Sequence, residues 1–169
     1  FFILYFIFFF TNLNANNKNR IIENLNKTKN LNFQFEQNIN GKVQNGNCTI
    51  AYPKMIFCEY SKNKNKVLVS NGKSLVIKTR TSYYRYPLVK TPLNLILDKN
   101  FLIDKIYKLQ ERIVDESYIN YKILEEGNEI NIFFNNKTFD LVGWQTRDIY
   151  QNVTITFISS IRKNQKINN

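Results

Sequence analysis

The chain has 169 residues, enough for one domain with a sizeable core, and it contains no histidine and only two cysteines. The lack of histidine removes the commonest general base and metal ligand, and two cysteines cannot form a cysteine-rich zinc site. The formal net charge is +11, but lysine and arginine are scattered along the chain, which argues against nucleic-acid binding. Frequent Phe and Tyr residues favour strands.

The chain begins with an apolar run, Phe1 to Phe10, followed by a short polar stretch that ends at Ala15. This run is too short for a transmembrane helix, which needs about 20 apolar residues, and is typical of a secretory signal peptide cleaved after Ala15. The missing start methionine indicates an N-terminally truncated sequence. No cysteine follows for lipid attachment, so we expect an exported, soluble domain over residues 16–169. The alternative is an uncleaved membrane anchor.

Residues 17–29 are predicted to form a short amphipathic helix, because Ile21, Ile22 and Leu25 recur at helical spacing. The apolar period then changes to two over residues 31–39, which predicts a half-buried strand. Turn signals follow at Gly41 and Gly46 and at Pro53, and Asn71-Gly72 predicts a tight hairpin between strands at 67–69 and 75–78.

The middle of the chain is predicted to be helical. Thr91 can cap a helix, Pro92 suits the first helical position, and the residues that follow as far as Leu97 are mostly apolar. Asp98-Lys99-Asn100 interrupts this helix, and a second short helix is predicted over 101–108. A helix that is apolar nearly all round must be covered on several sides, so the first helix is either an ordinary core helix or a lid over an apolar cavity.

The C-terminal part returns to strand patterns at about 110–116, 118–125, 129–134, 138–145 and 152–161. Regular strands joined by short polar turns imply an antiparallel sheet that curls on itself. Cys48 and Cys58 flank Pro53 at equal separation, which predicts that they lie opposite each other on neighbouring strands. An oxidising compartment favours a disulfide between them; the alternative is two buried thiols.

No catalytic apparatus is recognisable in the sequence. A serine nucleophile would have no histidine to act as its general base, and the sequence contains no glycine-rich phosphate loop. The adjacent acidic pairs at 115–116 and 125–126 would point to opposite faces of a strand. We therefore expect no enzyme, no metal and no cofactor. An enzyme acting on an acidic envelope polymer stays as an alternative, which would need carboxylates that converge in a cleft.

Four stretches, taken in chain order, form a recognisable pattern: Asn32-Phe33-Gln34-Phe35-Glu36-Gln37, the strand–turn–strand from Gly46 to Tyr60, the hairpin from Val67 to Leu75, and Thr91-Pro92-Leu93. Together they resemble the LolA family of outer-membrane lipoprotein carriers. The four stretches occur in the same order as in the family, and the resemblance extends from about Ile21 to Ile161. The resemblance implies a mainly β fold with helices (α+β): an incomplete antiparallel β-barrel, or curved sheet, covered by an N-terminal helix and a central helical lid.

The resemblance also implies a function. A LolA-like protein is a periplasmic carrier that accepts lipoproteins from an inner-membrane ABC transporter and passes them to an outer-membrane acceptor lipoprotein. We expect a monomer that binds acyl chains and no nucleic acid. Two alternatives use the same fold: a soluble periplasmic module that binds or senses lipid or glycolipid, and the acceptor itself, against which the missing lipidation cysteine argues.

The residues expected to contact an acyl chain come from the apolar face of the sheet and from the central helix. The expected cavity wall consists of Phe33, Phe35, Ile50, Tyr52, Ile56, Leu68, Leu75, Ile77 and Trp144. The expected lid residues, which would fill an empty cavity, are Leu93, Ile96 and Leu97. Family members often have an Arg at the position of Tyr52, where it helps hold the lid shut, so closure here is expected to use apolar contact or a different polar partner.

Overall fold

The computed structural model describes residues 16–62, 65–147 and 151–166. The expected signal peptide lies outside the described residues. The helices are α1 (Asn17–Lys27), α2 (Leu93–Ile96) and α3 (Lys99–Lys108), with one 3-10 turn at Leu88–Lys90. The strands are β1 (Asn30–Ile39), β2 (Lys42–Ala51), β3 (Met55–Tyr60), β4 (Val67–Asn71), β5 (Ser74–Lys78), β6 (Tyr83–Pro87), β7 (Arg112–Val114), β8 (Tyr118–Glu125), β9 (Asn128–Asn135), β10 (Leu141–Arg147) and β11 (Val153–Lys163).

The strands form one antiparallel sheet in the order β6-β5-β4-β3-β2-β1-β11-β10-β9-β8-β7. The first and last strands, β1 and β11, pair in the middle of this order, while β6 and β7 lie at the two edges. The sheet is curved and does not close. This confirms the predicted incomplete barrel, because the edge strands β6 and β7 do not pair with each other and are separated in the chain by the central helices.

One face of the sheet is apolar and is covered by the helices. In β3 the buried residues Ile56, Cys58 and Tyr60 alternate with exposed Met55 and Phe57, as expected for a strand with one buried face. We call the buried side the concave face and the other the convex face. The disulfide between Cys48 and Cys58 is present, as predicted, and joins directly opposed positions of β2 and β3 on the concave face.

The predicted N-terminal helix is confirmed as α1, which begins after Asn16, whose Oδ1 accepts a hydrogen bond from the Asn19 N–H at 3.2 Å. Ile21 and Leu25 of α1 are buried. The predicted interruption of the central segment is present but is shorter than residues 98–100. Asp98 caps α3 by accepting from the Phe101 N–H at 3.1 Å, so α3 begins at Lys99 and not at the predicted residue 101.

A continuous group of fully buried side chains lies under α3. Its members come from α3, β8 and β9: Leu102, Ile106, Ile119, Tyr121, Ile123, Ile130, Ile132 and Phe134. The edge strand β6 was not predicted from the sequence, because its residues are exposed on both faces and therefore lack an apolar–polar alternation. Within the described ranges, no helix is long and apolar enough to cross a membrane.

Candidate functional site

An apolar cavity of about 260 Å³ lies between the concave face and the central segment. The sheet supplies most of its wall through every second residue of neighbouring strands, since alternate side chains point to the same face. Leu93, at the start of α2, closes one side together with Thr91 and Pro92. The cavity is slightly smaller than the roughly 300–1,000 Å³ of pockets that hold drug-sized ligands.

Seven of the nine residues expected to form the wall line this cavity: Phe33, Phe35, Ile56, Leu68, Leu75, Ile77 and Trp144. Ile50 and Tyr52 do not line it. Ile50 is fully buried in the core and lies next to the last residue of β2, nearer the β2–β3 turn. Both cysteines of the disulfide also line the cavity, so the cross-link stiffens its wall. The contact of these residues with an acyl chain stays a prediction.

The three expected lid residues divide into two groups. Leu93 is half-buried and faces the cavity. Ile96 and Leu97 are fully buried in the continuous core and do not line the cavity. The part of the lid that could yield to a ligand is therefore the segment from Thr91 to Leu93, while Ile96 and Leu97 attach this segment to the rest of the protein.

The lid is held by the β2–β3 turn through a polar partner other than the arginine that family members often have. The Lys54 N–H donates to the Leu97 carbonyl at 2.9 Å, and the Lys54 Nζ lies 3.3 Å from the Asp98 Oδ2. On the other side, the Lys99 Nζ donates to the Thr28 carbonyl at the end of α1, at 2.9 Å. The turn, the lid and α1 are thus connected around one end of the cavity.

Tyr52, at the position where the family often has Arg, makes no polar contact with the lid among the described residues. Its hydroxyl oxygen is buried without a hydrogen-bond partner in that part of the chain, and burial raises the pKa of the phenol. The Lys99 Nζ lies 5.7 Å from the centre of the Tyr52 ring. Tyr52 therefore contributes an apolar ring surface, and Lys54 provides the polar link instead.

The opposite end of the cavity is polar, which the sequence did not predict. Its lining includes Gln37, Lys66 and three threonines, Thr146, Thr154 and Thr156. The Gln37 Nε2 donates to the Thr156 Oγ1 at 3.1 Å. The alternation of apolar and polar residues along a strand cannot identify this polar end, because polar residues on the concave face look like surface residues in the sequence. We call this group of residues the polar rim.

Tyr60 connects the polar rim to the apolar wall. Its ring packs edge-on against Phe35, with ring centres 5.1 Å apart, and its hydroxyl donates to the Gln37 Oε1 at 3.3 Å. Burial raises the pKa of Tyr60 to about 12, so the phenol is neutral. Gly46 leaves room for this edge-on contact, since a Cβ there would collide with the Phe35 ring and the Glu59 carbonyl.

A larger depression of about 750 Å³ lies on the convex face, between β1, β2, β3 and β11. Its side chains are largely polar or charged, including Asn32, Gln34 and Glu59, and no helix covers it among the described residues. We therefore take the helix-covered apolar cavity as the candidate site. Across the described residues, no three acidic or cysteine side chains converge in a way that could hold a metal ion.

The fold and the cavity define a class of protein in which a curved antiparallel sheet and helices enclose an apolar space. The chain belongs to the LolA family, since the family model described as outer membrane lipoprotein carrier protein LolA matches residues 26–169. The comparison with curated proteins finds no match.

Several solved structures are similar to this chain at low sequence identity, and the first of those named here shares its fold. An uncharacterized conserved protein from Thermus thermophilus is 6% identical, with a TM-score of 0.52 over 90% of this chain and 89% of that one. LprF from Mycobacterium bovis is 12% identical, with a TM-score of 0.47 over 92% and 97% of the two chains. A LolA superfamily protein from Nitrosomonas europaea is 7% identical, with a TM-score of 0.44 over 87% and 93%.

Proposed function

We propose that this protein is a periplasmic carrier that holds the acyl chains of lipoproteins in the cavity beneath Leu93. It accepts them from an inner-membrane ABC transporter and passes them to an outer-membrane acceptor lipoprotein. The observation that carries the proposal is an apolar, helix-covered cavity of about 260 Å³ in a chain of the LolA family. The protein acts by binding and not by catalysis, and residues 1–15 serve as its secretory signal.

The energetics of acyl burial support a carrier with a yielding lid. Each buried CH₂ contributes about 0.8 kcal/mol, so a complete long chain would contribute on the order of 10 kcal/mol. Binding of that strength approaches the nanomolar range and would slow release. A carrier needs an opposing free-energy cost that is recovered when the cargo leaves.

The lid supplies this cost. In the empty protein, Leu93 fills one side of the cavity and the Lys54–Asp98 pair holds the end of the lid. A bound chain displaces Leu93, and the lost contacts offset part of the gain from acyl burial. Displacement moves the segment from Thr91 to Leu93 and weakens the Lys54–Asp98 pair at the end of the lid, while the Ile96 and Leu97 side chains remain buried in the core.

The experiment that tests the proposal compares two substitutions on the same strand. Ile77→Trp fills the cavity from the concave face of β5, whereas Val76→Trp adds the same ring on the convex face. Binding of a triacylated lipopeptide, and its transfer from donor to acceptor vesicles, are measured for the wild type and both variants. We expect Ile77→Trp to abolish both, and Val76→Trp to retain both.

Two results would contradict the proposal in different ways. Lipopeptide binding that persists in Ile77→Trp would mean that the cavity is not the binding site. Binding in the wild type without transfer to acceptor vesicles, even with the transporter and acceptor present, would favour a lipid-binding or lipid-sensing module instead of a carrier.

A further inference from the structure

Lys66 places a positive charge at the polar rim. Its side chain is half-buried between the apolar cavity and an adjoining groove lined by residues of β2, β3, β5 and β6, and it lines both. Its Nζ lies 4.0 Å from the centre of the Tyr60 ring and donates to the Gln44 Oε1 at 2.6 Å. A cation over an aromatic face and a hydrogen bond to an amide fix the direction of the ammonium group.

No described acidic side chain balances this charge. Among the described residues, Lys66 forms no ion pair, and neither the cavity nor the adjoining groove is lined by Asp or Glu. The neighbours of its Nζ are a neutral phenol ring and a neutral amide. Burial lowers the pKa of Lys66, which reflects the cost of holding a partly desolvated ammonium group. A bound anion would reduce that cost.

The polar rim has further groups suited to an anionic oxygen. The Gln37 amide and the hydroxyls of Thr154 and Thr156 lie along the same end of the cavity. From this rim, the apolar wall of Phe35, Leu68 and Ile77 leads inward, so the cavity as a whole is amphipathic. With Leu93 in place the volume is about 260 Å³, so a ligand with one hydrocarbon chain needs less displacement of the lid than a ligand with several.

We propose that Lys66 forms a headgroup site for a single-chain lipid with an anionic head, a carboxylate or a phosphate, whose tail occupies the cavity. This deepens the proposed function and rests on it, because the tail uses the same acyl-binding cavity. The acyl chains of a lipoprotein are held in neutral ester and amide linkages, so the site selects a second ligand class: a free fatty acid or a lysophospholipid.

The test uses three twelve-carbon ligands with different heads: dodecanoate, dodecyl phosphate and dodecanol. Their dissociation constants are measured by calorimetry for the wild type, Lys66→Met, Lys66→Arg and Lys78→Met. Lys78 is exposed at the end of β5, opposite Val67 in the β4–β5 ladder, and is the matched control because it carries the same charge outside the cavity. Thermal unfolding is recorded for each variant.

We expect Lys66→Met to weaken binding of at least one anionic ligand by about tenfold and to leave dodecanol unchanged, because a hydrogen bond to a charged group is lost. Lys66→Arg and Lys78→Met retain the wild-type preference. Loss with dodecanoate alone identifies a fatty acid as the ligand source, and loss with dodecyl phosphate alone identifies a lysophospholipid.

The headgroup proposal is overturned if Lys66→Met changes all three affinities equally or changes none of them, while dodecanol still binds. That result leaves the acyl cavity and the carrier function standing. Failure of the wild type to bind any of the three ligands, dodecanol included, contradicts the carrier function itself. If Lys66→Met unfolds, Lys66→Gln provides the neutral variant for the same comparison.

Discussion

The side chain of Lys54, in the β2–β3 turn, forms an ion pair with Asp98 at the end of the lid, with Nζ and Oδ2 3.3 Å apart. The same carboxylate caps α3 through the Phe101 N–H. Asp98 therefore has two roles, one in starting a helix and one in holding the lid against the sheet. The two roles can be separated, because an amide keeps the cap and loses the charge.

We predict that Lys54→Met and Asp98→Asn increase acyl affinity about two- to fivefold, since a partly exposed ion pair contributes up to about 1 kcal/mol to the closed lid. Titration with a fluorescent fatty acid measures the effect. Lys42→Met, at the exposed start of β2, is the control and leaves the affinity unchanged. Weaker or unchanged binding in both lid variants would show that this pair does not oppose loading.

Trp144 reports directly on cavity occupancy, because it is the single tryptophan of the chain and lines the cavity. We predict that a fatty acid brominated along its tail quenches the tryptophan fluorescence at saturation. The unbrominated fatty acid is the control and produces much less quenching, because bromine acts only at short range. Equal signals from the two ligands would mean that the tail does not reach Trp144.

Tyr52 and Tyr60 differ in what their hydroxyls contact. The Tyr60 hydroxyl donates to Gln37, whereas the buried Tyr52 hydroxyl has no partner among the described residues. We predict that Tyr60→Phe lowers the free energy of unfolding by about 1 kcal/mol, while Tyr52→Phe leaves it unchanged or raises it by up to about 1 kcal/mol. Urea unfolding measures both. A loss in Tyr52→Phe as large as that in Tyr60→Phe would contradict this account.

Asp140 links α1 to the last strand. Its Oδ1 accepts from the Asn24 Nδ2 at 2.8 Å and from the Lys163 Nζ at 2.6 Å. Burial by itself raises the pKa of Asp140, but the hydrogen bonds from Lys163, Asn24 and Thr138 and the charge of Lys163 together outweigh burial and hold the pKa below its usual value. The stabilisation is therefore complete above about pH 4 and is lost as the pH falls through the lowered pKa.

We predict that Asp140→Asn lowers the free energy of unfolding at pH 6, and that its difference from the wild type shrinks toward pH 2.5. Urea titrations across this pH range measure the difference. Glu36→Gln, exposed on β1, controls for the general effect of removing one acidic group. A difference that stays constant with pH would mean that Asp140 does not contribute through its ionised form.

Much of the fold could be predicted because β1, β3 and β11 alternate apolar and polar residues, and Asn71-Gly72 specifies a hairpin locally. The edge strand β6 could not be predicted in this way. Its residues are exposed on both faces, and its strand conformation is supported by pairing with β5. That pairing is a tertiary interaction that no local pattern encodes.

The cavity wall was largely predictable because the alternation of apolar and polar residues along each strand identifies the residues on the concave face. The sequence could not tell which lid residues reach the cavity, since Leu93, Ile96 and Leu97 are all apolar and the helix is only one turn long. The alternation along β2 also led to the wrong prediction that Ile50 lines the cavity, because alternation identifies the face on which a residue lies but not its position along the strand. Lys66 ends a polar, lysine-rich stretch that looks like a solvated loop in the sequence, and only the fold brings it onto the Tyr60 ring.

The helical cover is also the covalent connection between the two edge strands, since it follows Pro87 and precedes Arg112. A connection anchored at both ends can bulge outward without unpairing any strand of the ladder. Backbone amides around Thr91 and Leu93 would then exchange their hydrogens readily, while those of β1 and β11 in the centre of the sheet would exchange slowly. Flexibility is thus confined to one short segment, while the sheet that supports it stays rigid.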